Sequence, residues 1–170
     1  GRGVMVIGMR FNKNIQESTV IDTEEKLVEF SKSATPFQPD AQDYFIFSRG
    51  GVDWTKEIAH FVVGRPAYDN WLVNHAHHAK HLDLVDASQT VRALHQTCRD
   101  GNHAGHRPNL DKSFNNHALN PQTGKGVGPH EWDHGIFKWA HFETKSANGQ
   151  IEVKARGQTQ TGGPRALPTK

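Results

Sequence analysis

Cysteine is nearly absent: Cys98 stands alone among 170 residues, which leaves no intrachain disulfide and no cysteine-built zinc site. There is also no Asn-x-Ser/Thr acceptor for N-glycosylation. Both absences fit a reducing compartment, and a cytoplasmic location is the expectation. No apolar run approaches the roughly 18 residues that a membrane-spanning helix requires, so no span is expected. Nor is one sign of charge in excess. The 20 basic and 18 acidic residues are well mixed and sum to +2, which removes the electrostatic case for a nucleic-acid partner. No internal repeat or heptad pattern occurs. The first residues carry no charged segment ahead of an apolar one, so Val4–Ile7 reads as a buried strand and not as a signal peptide. The chain reads as a piece that starts inside a fold.

What is abundant is histidine. Twelve are present, most of them between His75 and His141, and imidazole is the commonest metal ligand. A metal is therefore the leading explanation of this composition.

The length suits one domain with a real core. Alternating strand and helix signals predict an α/β layer structure, with residues 1–156 as the domain and 157–170 as a flexible tail rich in Gly, Thr, Gln and Pro. Gly3–Gly8 predicts a strand that ends near Arg10, a candidate phosphate or carboxylate partner whose alternative is a surface ion pair. Residues 22–30 predict a short amphipathic helix capped by Asp22 or Thr23. Pro36 and Pro39 mark a loop, and Tyr44–Phe47 a buried strand.

Phe61, Val62 and Val63 read as a further strand, broken by Gly64 and Pro66. Asp69 then falls where a helix N-cap belongs, ahead of a segment free of glycine and proline up to Leu82. A carboxylate there faces the positive helix end, worth about 0.3–1 kcal/mol to its ionised form. Capping alone is its alternative, as core filling is for Trp71 and a surface ion pair for Arg65. Within the helix, His75 and His78 are three apart and His77 and His81 four apart, spacings at which imidazoles share a metal. No glutamate sits between them in an HExxH pattern, so a solvated face is the expectation.

Two short apolar runs follow, 82–87 and 90–96, closing on His95. Strand, turn with Asp69, helix, strand and terminal His95 is a layout that brings one carboxylate and one imidazole to the same sheet edge. The polar stretch 95–117, with His103, His106 and His117, is long for a loop without a function of its own. Residues 136–142 predict a strand, and Ser146–Gln150 a hairpin turn into residues 151–153.

These segments resemble a known family. Asp43–Arg49, Val63–Leu72 with its GRPAYDNWL core, Val85–Ala87 and Ala93–Gln96 are similar to the C-terminal half of poorly characterised GT-A-like glycosyltransferases, and Gly8–Arg10 resembles their preceding strand end. The resemblance covers about residues 4–120. It implies the C-terminal part of a GT-A-like mixed sheet with flanking helices, preceded by a nucleotide-binding half that carries an Asp-x-Asp motif, which this chain lacks.

The resemblance further implies transfer of a sugar from a nucleotide-sugar donor to the hydroxyl of a glycan or other acceptor. Asp69 is then the base, and His95, His103 and His106 ligands of Mn²⁺ or Mg²⁺. A base must take the hydroxyl proton as the anomeric carbon is attacked, and a divalent cation offsets charge on the departing diphosphate. Arg10, Arg49, Arg65 and Trp71 are the substrate-binding candidates. The missing N-terminal half or another subunit is the implied protein partner. The alternative is a non-catalytic binding or structural module on the same fold. A metal-dependent nuclease, suggested by Asn115–His117 and Glu131–His134, ranks below both.

Overall fold

The structure is a computed structural model that describes residues 1–16, 18–39, 41–58, 61, 63, 68–97 and 135–157. Its centre is strand β1 (Gly3–Lys13), long enough to pair with two strands along each edge. On one edge run β3 (Gln42–Phe47) and β2 (Thr35–Pro36), both antiparallel to β1. On the other run β4 (Leu82–Asp86) and then β5 (Ala93–Gln96), both parallel. Beyond β4 lies β6 (Phe142–Ala147), again parallel, and β7 (Gln150–Ala155) closes the seven-stranded mixed sheet as an antiparallel hairpin with β6. The protein is of the α/β class.

The pleat explains the core. Met5, Ile7 and Met9 alternate onto one face of β1 and meet Phe45 and Phe47 of β3. Helix α2 (Tyr68–His78) covers that face with Trp71, Leu72, Val73 and Ala76. All five residues of β4 are buried, as expected of a parallel strand flanked on both edges and covered by a helix. The shorter helix α1 (Glu24–Lys32) is capped by Thr23, whose hydroxyl accepts the Lys26 N–H at 3.2 Å. It buries no residue; Leu27 and Val28 are exposed. Among the described residues no helix is long and apolar enough to cross a membrane.

Several boundaries differ from the sequence expectation. Phe61 and Val63 belong to no strand: Phe61 packs against Tyr68 and Trp71, while Val63 is exposed. An apolar β-branched run is compatible with either state, and β1 already fills the sheet centre. Helix α2 ends at His78, where the His78 ring Nδ1–H turns back onto the Asn74 carbonyl at 3.0 Å. The predicted strand at 136–142 is a 3₁₀ turn over Phe137–Trp139, with the strand starting only at Phe142. The expected hairpin forms with Asn148 and Gly149 both at positive φ, 51° and 73°, the requirement of a two-residue type I′ turn.

Candidate functional site

Near the carboxyl end of β1 the regular ladder breaks. The β1–β3 register shifts between Gly8 and Met9, so that Met9 pairs with Gln42 and Gly8 with Tyr44. Asp43 is the extra residue, a β-bulge. Strict alternation back from Phe47 and Phe45 would turn Asp43 into the core. The bulge instead buries Gln42 and sends the Asp43 carboxylate toward β5, where its Oδ2 accepts the Nδ1–H of His95 at 2.8 Å. The Arg10 guanidinium lies 3.7 Å from the other carboxylate oxygen and stacks on Phe37, 4.0 Å from the ring centroid. Arg10 Nε and Asn12 Oδ1 are buried there with no hydrogen-bond partner among the described residues.

This arrangement has defined chemical capacities. A carboxylate on Nδ1 fixes the imidazole's orientation and tautomer, so that Nε2 carries the lone pair that takes a proton or binds a cation. The guanidinium alongside supplies positive charge and planar donors for an anionic oxygen.

Asp69 lies in the first turn of α2, one position inside the helix, and its Oδ1 accepts the Asn70 N–H at 3.0 Å. Asn70 Nδ2 donates to the Gly135 carbonyl at 3.0 Å, and Gln42 Nε2 donates to the same oxygen at 2.9 Å. The start of α2 and His95 therefore approach consecutive residues of β3: Gln42 faces the helix side and Asp43 faces β5. Asp69 starts the helix that covers the Met5, Ile7 and Met9 face of β1, whereas His95 is in register with Asn12, of the alternate set of β1 residues that includes Arg10. The carboxylate that meets the imidazole, however, is that of Asp43. Nothing in the sequence marks Asp43 for this role, because a bulge has no signature in a period-two pattern.

Of the other expected residues, Trp71 and Arg49 are placed elsewhere. Trp71 is 4% exposed and stacks on His75 with ring centroids 5.0 Å apart, a core position. Arg49 follows the far end of β3 and is exposed, at the opposite end of that strand from Arg10. Arg65, His103 and His106 lie outside the described residues, as do Asn115–His117, Glu131–His134 and the tail beyond 157.

The four histidines expected on a solvated face divide: His78 and His81 are exposed, His75 is half-buried and His77 is buried. His75 and His81 both donate through Nε2 to Glu57 Oε2, at 3.3 and 2.8 Å. His77 is buried, donates through Nδ1 to the Trp139 carbonyl at 2.8 Å, and stacks on His141. His141 Nδ1 accepts the Leu84 N–H at 2.9 Å, while its Nε2–H donates to the His77 carbonyl at 3.0 Å. Burial holds the His75 ring below the usual imidazole range, against the pull of Glu57. Burial alone would raise Glu57. The Asp53 N–H and the two imidazoles outweigh it, and the carboxyl sits below its usual range.

A second polar cluster lies at the end of β4. The Asp86 carboxylate accepts Arg156 Nη2 at 2.6 Å and the Ser88 N–H at 2.9 Å, and Arg156 Nε reaches Glu143 at 3.1 Å. The Tyr44 phenol donates to the Val91 carbonyl at 3.2 Å and is pushed up to about 12 by burial, with the nearby Asp86 charge adding to it.

Among the described residues no group of three or more His, Cys, Asp or Glu side chains is placed to hold a metal ion. Asp43 holds the His95 ring through Nδ1, the arrangement in which a carboxylate orients a histidine ligand. No protein-family model, curated protein or solved structure matches the chain.

Proposed function

We propose that this chain is a glycosyltransferase-like domain that transfers a sugar from a nucleotide-sugar donor to an acceptor hydroxyl. Asp69 is the base on that hydroxyl, and His95 binds a divalent cation, Mn²⁺ or Mg²⁺. The observation that carries the reading is the carboxylate–imidazole pair of Asp43 and His95 beside Arg10, at the sheet end that α2 also reaches. The motif resemblance around GRPAYDNWL and Ala93–Gln96 supplies the reaction class. When bound, the cation supplies positive charge that offsets the departing diphosphate. Arg10 adds a fixed cation to that task, and Asp43 keeps the His95 ring in its binding tautomer.

The test is calorimetric titration of the chain with Mn²⁺, alone and with a uridine diphosphate sugar. Wild type binds the ion, His95→Ala loses binding, and Asp43→Asn weakens it about 10–100-fold, the usual cost of losing a ligand's carboxylate partner. Asp69→Asn keeps binding and loses transfer. Mn²⁺ affinity that is absent in wild type, or unchanged in His95→Ala, overturns the reading.

A further inference from the structure

Strand β7 ends the sheet. Its six residues are all exposed, and among the described residues it pairs only with β6. The ladder shows which of its backbone groups are committed. Arg156 N–H donates to the His141 carbonyl, and hydrogen-bonded pairs alternate along an antiparallel ladder. Lys154, Glu152 and Gln150 therefore point their amides at β6. Ile151, Val153 and Ala155 present theirs outward.

Among the described residues no bulge, proline or covering element blunts this edge; its charges, Glu152 and Lys154, are of opposite sign. The strand has no proline, its register with β6 is regular over six pairs, and the type I′ turn keeps the hairpin in standard twist. Ile151 and Val153 share a sheet face with Phe142 and Thr144, yet they are 61% and 45% exposed where those two are buried. Among the described residues the apolar face of the sheet thus runs on, uncovered, to its last strand.

We propose that this edge pairs antiparallel with β7 of a second copy of the chain, about a two-fold axis at Val153. The argument for a second copy is charge complementarity read together with the hydrogen-bond phase. In this register Val153 faces Val153 of the other copy and Ile151 faces Ala155, all through outward-pointing amides. Glu152 then stands directly across from Lys154 of the other copy, and Lys154 across from Glu152, at the cross-strand spacing where opposite charges attract. Moving the axis by one residue sets Glu152 against Glu152, or Lys154 against Lys154. Like charges directly opposite are destabilising, so both neighbouring axis positions are disfavoured, and the axis at Val153 is the one that sets Glu152 against Lys154 twice. Within the hairpin Glu143 stands in register with Lys154 and Lys145 with Glu152, while the ion pairs run along each strand, Lys145 to Glu143 at 2.6 Å and Lys154 to Glu152 at 3.1 Å, so the second copy exchanges the latter pair for cross-strand ones. The pairing extends an alternating ladder of charge across the two-fold axis. Such an isologous contact closes at two copies and leaves no β7 edge for a third.

Sedimentation equilibrium over a wide concentration series tests this with the full chain. Wild type shifts from the 19.0 kDa monomer toward twice that mass as concentration rises. Val153→Pro removes an outward amide without touching the β6 ladder, and Val153→Lys sets two like charges against each other across the axis. Both stay monomeric throughout, with the wild-type melting temperature at the lowest concentration. In a mixture of isotope-labelled and unlabelled wild type, carbodiimide joins Glu152 of one copy to Lys154 of the other; this readout is independent of whether the variants fold. A wild-type mass that never leaves 19.0 kDa overturns the proposal. So does a dimer that both variants retain, growth beyond two copies, or absence of the mixed cross-link.

Discussion

The Asp43 carboxylate meets Nδ1 of His95 at 2.8 Å, joining residues 52 positions apart across the central strand. A negative charge at that distance holds the Nδ1–H tautomer in place. Replacing Asp43 by Asn keeps the shape and makes the partner ambiguous, since the amide both donates and accepts. Nitrogen-detected NMR on the wild type should show the neutral form of His95 with its proton on Nδ1. Asp43→Asn should show a mixture of tautomers, with the far-ultraviolet spectrum unchanged. A single unaltered tautomer in the variant would refute this role for Asp43.

Gly8 is held to glycine by Tyr44. A Cβ at Gly8 would lie 1.9 Å from the Tyr44 phenol oxygen, because the ring folds across the glycine directly opposite it in the ladder. Gly8→Ala should destabilise the fold by about 1–3 kcal/mol, the cost of overpacking. In the Tyr44→Ala background the same change should cost clearly less. Urea unfolding of the four proteins gives the coupling, and equal costs in both backgrounds would contradict the contact.

The Glu57 cluster predicts an acid-sensitive fold. His75 lies below its ordinary value of 6.5 in the folded state, so the unfolded chain binds its proton first as pH falls. The stability it contributes is complete above about 6.5 and is lost as pH drops through the folded value. Glu57 is likewise lowered from 4.5, so its contribution is complete above that value and fades below it. The melting temperature should be level above pH 6.5, fall below it, and fall again below pH 4.5. His75→Gln should remove much of the first decline and leave the second. An identical first decline in the variant would assign it to other groups.

His141 is a structural acceptor. Its Nδ1 satisfies the amide of Leu84 in the fully buried strand β4. His141→Phe leaves that N–H buried and unpaired, at a cost of about 1–3 kcal/mol. His141→Asn, whose side-chain oxygen occupies a similar position, should recover part of the loss. Chemical denaturation distinguishes the two, and equal stability of Phe and Asn variants would show that the acceptor does not matter.

How much was legible in the chain depends on the range of the interaction that decides each feature. Val4–Ile7, Tyr44–Phe47 and the run after Leu82 declare themselves as strands by density of apolar and β-branched residues. The Thr23 cap and the turn at Asn148 and Gly149 are visible because capping and positive φ select residue types locally. Phe61 and Val63 misled for the converse reason. Their composition suits a strand, but Phe61 is drawn instead into packing against Tyr68 and Trp71 of α2.

The histidines divide along the same line. Their abundance was plain, and a metal was the natural expectation. Among the described residues His75 and His81 serve Glu57, while His77 and His141 serve backbone groups of β4, α2 and the 3₁₀ turn. Helical spacing says which imidazoles are neighbours on one helix. It says nothing of Glu57 or His141, which arrive from other elements.

By itself the amino-acid sequence determined the layer class, most strands, both helices and the tight hairpin, since each follows from local propensity and periodicity. Only the tertiary structure decided that Asp43 is bulged out of the ladder toward His95, that Trp71 is core, and that Arg10 and Arg49 stand at opposite ends of β3. Those outcomes depend on strand register, and register is set by the whole sheet competing for one buried face rather than by any residue's neighbours along the chain.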